Sequence, residues 1–342
     1  MIRKILLSGL LILLGVLGFY LPLIEYGIGQ GLGQLGIIWN AKPVSYYMDD
    51  PQFPDSLKAR LKIIEEVRHF AIDSLGLKDT DNYRTLYDQK GKEIMWVVTA
   101  CEPFDLKAKM WSFPVVGSVP YKGYFREERA MSEGYALQKA GYDVSVRNPG
   151  GWSTLGWFTD PILSGMLMRS EGDLASLIIH EMVHSTLWVK DSVELNENLA
   201  SFIADTAAYD FLAWKYGKDS REYKTYLYED QDYRQYASYI LRASKQLDSL
   251  YQTMSDIQPL EERRAAKKEM IRKIIANMDT LDLKLTDTPS KRFEKRQPNN
   301  AYFMAYRHYQ SKQSRFKKEL DDQFHGDLKR YVEYLSQKYP FL

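Results

Sequence analysis

The chain is poor in the residues that build thiolate chemistry. A single cysteine, Cys101, among 342 residues excludes an intrachain disulfide, a cysteine-rich zinc site and an iron–sulfur cluster. Histidine is scarce too, with only five, so any metal must be held by those few imidazoles and by carboxylates. There is no basic surplus: 46 Lys and Arg stand against 45 Asp and Glu, a net charge of +1. Nucleic-acid-binding domains carry a clear positive excess, so nucleic acid is not expected as a partner. The sequence contains no internal repeat. At 45% apolar and 27% charged residues the composition is that of an ordinary globular protein, with enough aromatic material for a large core.

One stretch lacks charge altogether. After Arg3 and Lys4, the run Ile5 to Ile24 consists almost entirely of Leu, Ile, Val, Phe and Gly. Twenty helical residues rise roughly 30 Å, enough to cross the hydrocarbon layer of a bilayer. Two readings fit: an uncleaved membrane anchor over residues 1–25, which we take as the expectation, or a cleaved secretory signal. No Ala-x-Ala site follows the run. Both readings export the remainder, and the basic flank places it on the periplasmic or extracellular side. Residues 26–39 are rich in glycine and read as a connector.

From residue 40 to 342 the pattern predicts one α+β, predominantly helical unit, with an α/β part over about 40–158 and a helical part over about 159–342. Asp55 or Ser56 starts a helix whose apolar residues Leu57, Leu61, Ile64, Val67, Ala71 and Leu75 recur every three or four positions, and Gly76 ends it. Glu93–Ala100 and Asp143–Arg147 read as strands, Gly117–Phe125 as extended, and Arg126–Ala140 as a helix. From Asp160 onward the signal is helical, with breaks near 190–193, 216–220, 259 and 286–290.

Two of the five histidines sit together in His180-Glu181-Met-Val-His184. On a helix, residues four apart share a face, so both imidazoles can reach one ion while Glu181 meets a water beside it. After a break at Lys190-Asp-Ser192, a second helix begins with Glu194-Leu-Asn-Glu197. A short antiparallel connection returns Glu197 beside His184, and two His with one carboxylate leave a fourth tetrahedral position open. The competing readings are a hydrogen-bonded pair of core histidines, and a Glu197 placed near a helix start for its macrodipole. Cys101, next to a strand run with no base nearby, reads as a buried thiol.

His-Glu-x-x-His followed by Asn196-Glu197-x-x-Ala200 resembles the gluzincin metallopeptidases. The twelve residues between His184 and Glu197 are similar to the spacing in a bacterial family of exported zinc aminopeptidases. Lys122-Gly-Tyr-Phe125, Ser153-Thr-Leu-Gly-Trp157 with Asp160-Pro161, and Asn299-Asn-Ala301 also resemble that family's segments. The resemblance implies a gluzincin-like domain with Zn²⁺ held by His180, His184 and Glu197, Glu181 as general base, and a peptide substrate cut from its amino end. Transition-state or substrate contacts then fall to Tyr121, Tyr124, Tyr309 or Asn300.

There are departures. Trp152 stands where the family tends to have Tyr, and Ala204, followed by Asp205, stands where a second glutamate is common. No Gly-x-Met-Glu-Asn segment occurs. Ser201 and Asp205 are the remaining candidates to orient a ligating imidazole. An envelope endopeptidase, or a silent envelope protein that only binds metal, stay open as alternatives.

Overall fold

The computed structural model describes residues 21, 23–113, 117–149, 159–255, 257–286, 288–310 and 313–339. Helix accounts for 65% of the described residues, beside three small sheets, which makes the protein α+β and mainly helical. Helix α1 runs over 23–40. It is followed by β1 (Lys42–Pro43), α2 (Val44–Asp49), α3 (Asp55–Leu75), β2 (Thr85–Tyr87), β3 (Trp96–Cys101), β4 (Trp111–Phe113), β5 (Gly117–Val119), β6 (Tyr121–Tyr124), α4 (Glu127–Lys139) and β7 (Asp143–Arg147). The second half contains β8 (Ile162–Leu163), α5 (Glu171–Thr186), α6 (Val193–Tyr216), α7 (Arg221–Gln252), α8 (Leu260–Asn277), α9 (Asn300–Gln310), α10 (Gln313–Phe324) and α11 (Leu328–Lys338).

The period seen in the sequence places α3 as expected. Leu61, Ile64, Val67, Ala71 and Leu75 are buried, and Gly76 closes the helix in the left-handed conformation, φ 71°, which costs glycine least. β3, β6, α4 and β7 also fall inside their predicted ranges or within a residue of them. One small sheet has the order β1-β2-β8, with β2 and β8 parallel. Its strands of two or three residues are too short to leave a periodic signal. The second sheet, β6-β3-β7, is antiparallel throughout and carries α4 on one face; the third is the β4-β5 hairpin.

The main core gathers the inner faces of α3, α5, α6 and α11. Ser170 caps α5, its hydroxyl accepting the Asp173 amide at 3.2 Å, and Glu171 and Asp173 complement the helix dipole. A second core joins α7, α8 and α9 to the end of β3. The α/β and helical parts are therefore interlocked rather than serial: Asn300, at the start of α9, bonds the loop after β3, and Lys267 of α8 pairs with Asp143 of β7 at 2.5 Å.

Two expectations about the amino-terminal region meet different outcomes. The glycine-rich connector proves helical, because packing against the body outweighs the cost of about 1 kcal/mol per glycine. Residues 1–20 and 22 of the expected anchor lie outside the described residues, and among those described no helix is long and apolar enough to cross a membrane.

The start of α5 depends on one close approach. A Cβ on Gly172 would fall 2.3 Å from the Tyr226 ring, at its attached end rather than at a flexible tip. Gly172→Ala is therefore expected to destabilise the protein by about 1–3 kcal/mol, although alanine favours helices elsewhere. Chemical denaturation measures it; an unchanged or raised midpoint contradicts the packing described.

Candidate metal centre

α5 and α6 form an antiparallel pair joined through residues 187–192, and Asn196 fastens the joint. Its side chain accepts from the Val189 amide at 2.9 Å and donates to the Val189 carbonyl at 2.8 Å, closing the turn with two bonds. The next residue, Glu197, is thereby fixed against α5. A further bond from the Asn198 amide to the Glu194 carbonyl, 2.7 Å, stiffens the first turn of α6.

The resulting geometry is compact. His180 Nε2 and His184 Nε2 lie 3.0 Å apart, and Glu197 Oε2 lies 3.3 Å from the first and 3.6 Å from the second. Donors about 2.0–2.1 Å from one ion at tetrahedral angles sit about 3.3–3.4 Å from each other, so the three side chains have the spacing that a single four-coordinate ion demands. Two Nε2 atoms and a carboxylate oxygen converge on one point, and with both imidazoles protonated at Nδ1 all three would offer lone pairs to a cation. They form the one group of three or more such side chains close enough to hold a metal among the described residues. The imidazoles meet edge to face at 4.6 Å, and Trp188 packs against His184 at 5.3 Å.

The electrostatics separate the two glutamates. Burial alone would raise the Glu197 carboxyl, but the neighbouring His184 and His180 hold it far below the usual carboxylate range. Glu181, on the same helical turn, is pushed up to about 7, first by burial and then by the Glu197 and Asp160 carboxylates, with His180 opposing. One carboxylate stays ionised, as a metal ligand must be. The other is poised to exchange a proton near neutrality.

The remaining sequence candidates disperse. Tyr124 is buried in the β6-β3-β7 core and packs edge to face on Tyr26. Tyr121 is on the same strand. Asn300, read as a substrate contact, is wholly buried; its amide donates to the carbonyls of Glu102 and Pro103 and accepts from Tyr251, so its bonds go to the scaffold. The side chain of Tyr309 lies outside the described residues, as do Trp152 and the Ser153–Trp157 segment. Asp205 bonds Ser176 at 2.8 Å and Tyr226 at 3.4 Å, not an imidazole, and His184 Nδ1 is buried with no partner among the described residues. Cys101 is the inert thiol expected, with burial and then Asp143 pushing it up to about 12.

Tyr83 enters the site's surroundings without any signal in the sequence, beside Asp160 of the Asp160-Pro161 segment. Tyr83 is fully buried in a left-handed conformation, φ 63°, unusual for a bulky side chain. Its amide donates to the Asp160 carbonyl at 2.7 Å. The preceding Asn82 accepts from the Asp160 amide and reaches Ser185 of α5 at 3.4 Å, stapling this loop to the metal-centre helix. The Tyr83 hydroxyl has no partner among the described residues, and its ionisation is opposed by burial first and then by Glu181 and Asp160.

A family model described as putative aminopeptidase matches residues 25–338. No curated protein and no solved structure matches the chain.

Two stability predictions follow from buried groups. Burial holds the Asp205 carboxyl up at about 6 against an ordinary 3.8, so the folded state binds its proton more tightly. Stability from this residue is present below about pH 4 and is lost as pH rises through 6, amounting to on the order of 2–3 kcal/mol. Asp205→Asn should raise the denaturation midpoint at pH 7.5 and change it little at pH 4; the reverse order contradicts the assignment. Tyr83→Phe, which removes an unpaired buried hydroxyl, should leave stability unchanged or raise it by about 1 kcal/mol. A loss of several kcal/mol would mean that the hydroxyl has a partner.

Proposed function

We propose that the chain, which belongs to the putative aminopeptidase family over most of its length, is a zinc-dependent peptidase that hydrolyses peptide bonds with a metal-activated water. The observation that carries this reading is the convergence of His180, His184 and Glu197 within 3.6 Å, with Glu181 on the same helical turn. The donor set of two imidazoles and one carboxylate suits zinc, and a fourth position stays free for chemistry. Zinc held there would polarise the scissile carbonyl and acidify the attacking water.

The chain's own groups do the rest. Glu197 remains ionised and neutralises part of the ion's charge. Glu181 accepts the proton of the attacking water as the carbon–oxygen bond forms, then delivers that proton to the amine as the carbon–nitrogen bond breaks. A buried carboxyl near neutral pKa can serve in both directions. The family's description supports cleavage from the amino end, and the uncharged run Ile5–Ile24 supports attachment to a membrane, with the catalytic unit on the exported side.

Glu181→Gln should keep about one zinc per chain and lose roughly 10²–10⁴-fold in turnover. Glu197→Ala should lose the metal and the activity together. Metal analysis beside a peptidase assay separates the two; a Glu181→Gln protein that retains full turnover contradicts the mechanism. A peptide pair with free and acetylated amino termini tests the exopeptidase reading, for which only the free form is cleaved. Equal cleavage of both marks an endopeptidase.

A further inference from the structure

Helix α1 keeps a row of large apolar residues on its outer side. The side toward the protein carries the buried Ile37 together with polar and small residues: the Tyr26 hydroxyl donates to the Gly123 carbonyl at 3.0 Å, Gln34 is buried, and Gly33 lies so close to Phe125 that a Cβ there would fall 2.3 Å from the ring. Glu25, the first charge after the apolar run, pairs with Arg129 of α4 at 2.5 Å. The opposite face is apolar and open. Leu21, Ile24, Ile28, Leu32 and Trp39 are 61, 43, 57, 64 and 76% exposed, and their spacings of three, four, four and seven place them along one stripe. A surface helix normally turns such residues toward the core and its glutamines toward solvent.

The occupant of this face is set by what precedes it. In the sequence the stripe follows directly on the uncharged, mostly apolar run Ile5–Ile24. Trp39, at the far end, is the residue type that settles at the headgroup level of a bilayer. From Ile24 to Trp39 the stripe extends roughly 22 Å along the helix, a length that lets it lie obliquely through the outer part of one leaflet.

We infer that the outer face of α1 is a lipid-contact surface that mounts the catalytic body rigidly against the bilayer. The inference rests on the membrane attachment proposed above. It adds that α1 is a fixed bracket, held to β6 and α4 by the Tyr26, Gly33 and Glu25 contacts, and not a flexible tether. The metal centre is then kept at a set height above the membrane, accessible to peptides at or near its surface.

The test uses the full chain reconstituted in vesicles of phosphatidylcholine and phosphatidylglycerol. The native Cys101 is fully buried and can stay in place. Single cysteines are introduced as Ile28→Cys, Leu32→Cys and, as an exposed control on α4, Lys139→Cys, and each is labelled with an environment-sensitive dye. The expected result is emission at 28 and 32 that lipid-borne quenchers reduce and that iodide quenches at least about threefold less than at 139. Carbonate extraction of the same vesicles reports attachment separately. Chain retained in the membrane, with positions 28 and 32 as open to iodide as 139, overturns the bracket and leaves the anchor standing. Release of the chain by carbonate overturns both. Protection from iodide without quenching from lipid assigns the face to a second copy or another protein and overturns the lipid contact.

Discussion

The arrangement depends on one helix pair. α5 and α6 must run antiparallel at close range, because His180 and His184 belong to one and Glu197 to the other. The two bonds between Asn196 and Val189 set the turn that brings them together. Everything near the site serves that pairing: the α3 face beneath α5, the Ser170 cap that starts it, and the glycine that lets the Tyr226 ring pass under its first turn. Without the latch, Glu197 would be an ordinary carboxylate near the start of a helix.

Burial then converts geometry into chemistry. Two imidazole nitrogens and a carboxylate oxygen are held within 3.6 Å of one another in a largely desolvated seam. Such a cluster could hold one metal ion. The neighbouring Glu181 lacks such a partner and is driven toward a neutral pKa, the property that a proton-transferring group needs. The two carboxylates, Glu181 on α5 and Glu197 on α6, thus behave differently according to which of them faces the imidazoles.

What the sequence revealed and what it hid follow from distance along the chain. His180, Glu181 and His184 are legible because an α-helix places residues four apart on one face. Glu197 is legible because a short break predicts an antiparallel return. The long helices and the five-residue β7 show their periods for the same reason. Tyr83 and Asp160 lie 77 positions apart and meet only through loop contacts, so no local pattern brings them together. An asparagine in a polar segment has the same signature whether it meets substrate or clamps a loop, and Asn300 clamps residues 102–105. The glycines of α1 misled in the opposite direction: glycine weakens a helix in isolation, yet Gly33 permits the contact with Phe125 that holds this one.

The central claim is that His180, His184 and Glu197 hold one metal ion, and X-ray absorption at the metal edge of the purified full-length protein tests it most directly. The account predicts one zinc per chain with imidazole and carboxylate donors at about 2.0–2.2 Å and no sulfur in the first shell. A protein without stoichiometric metal, or an absorption spectrum lacking imidazole scattering, would contradict it.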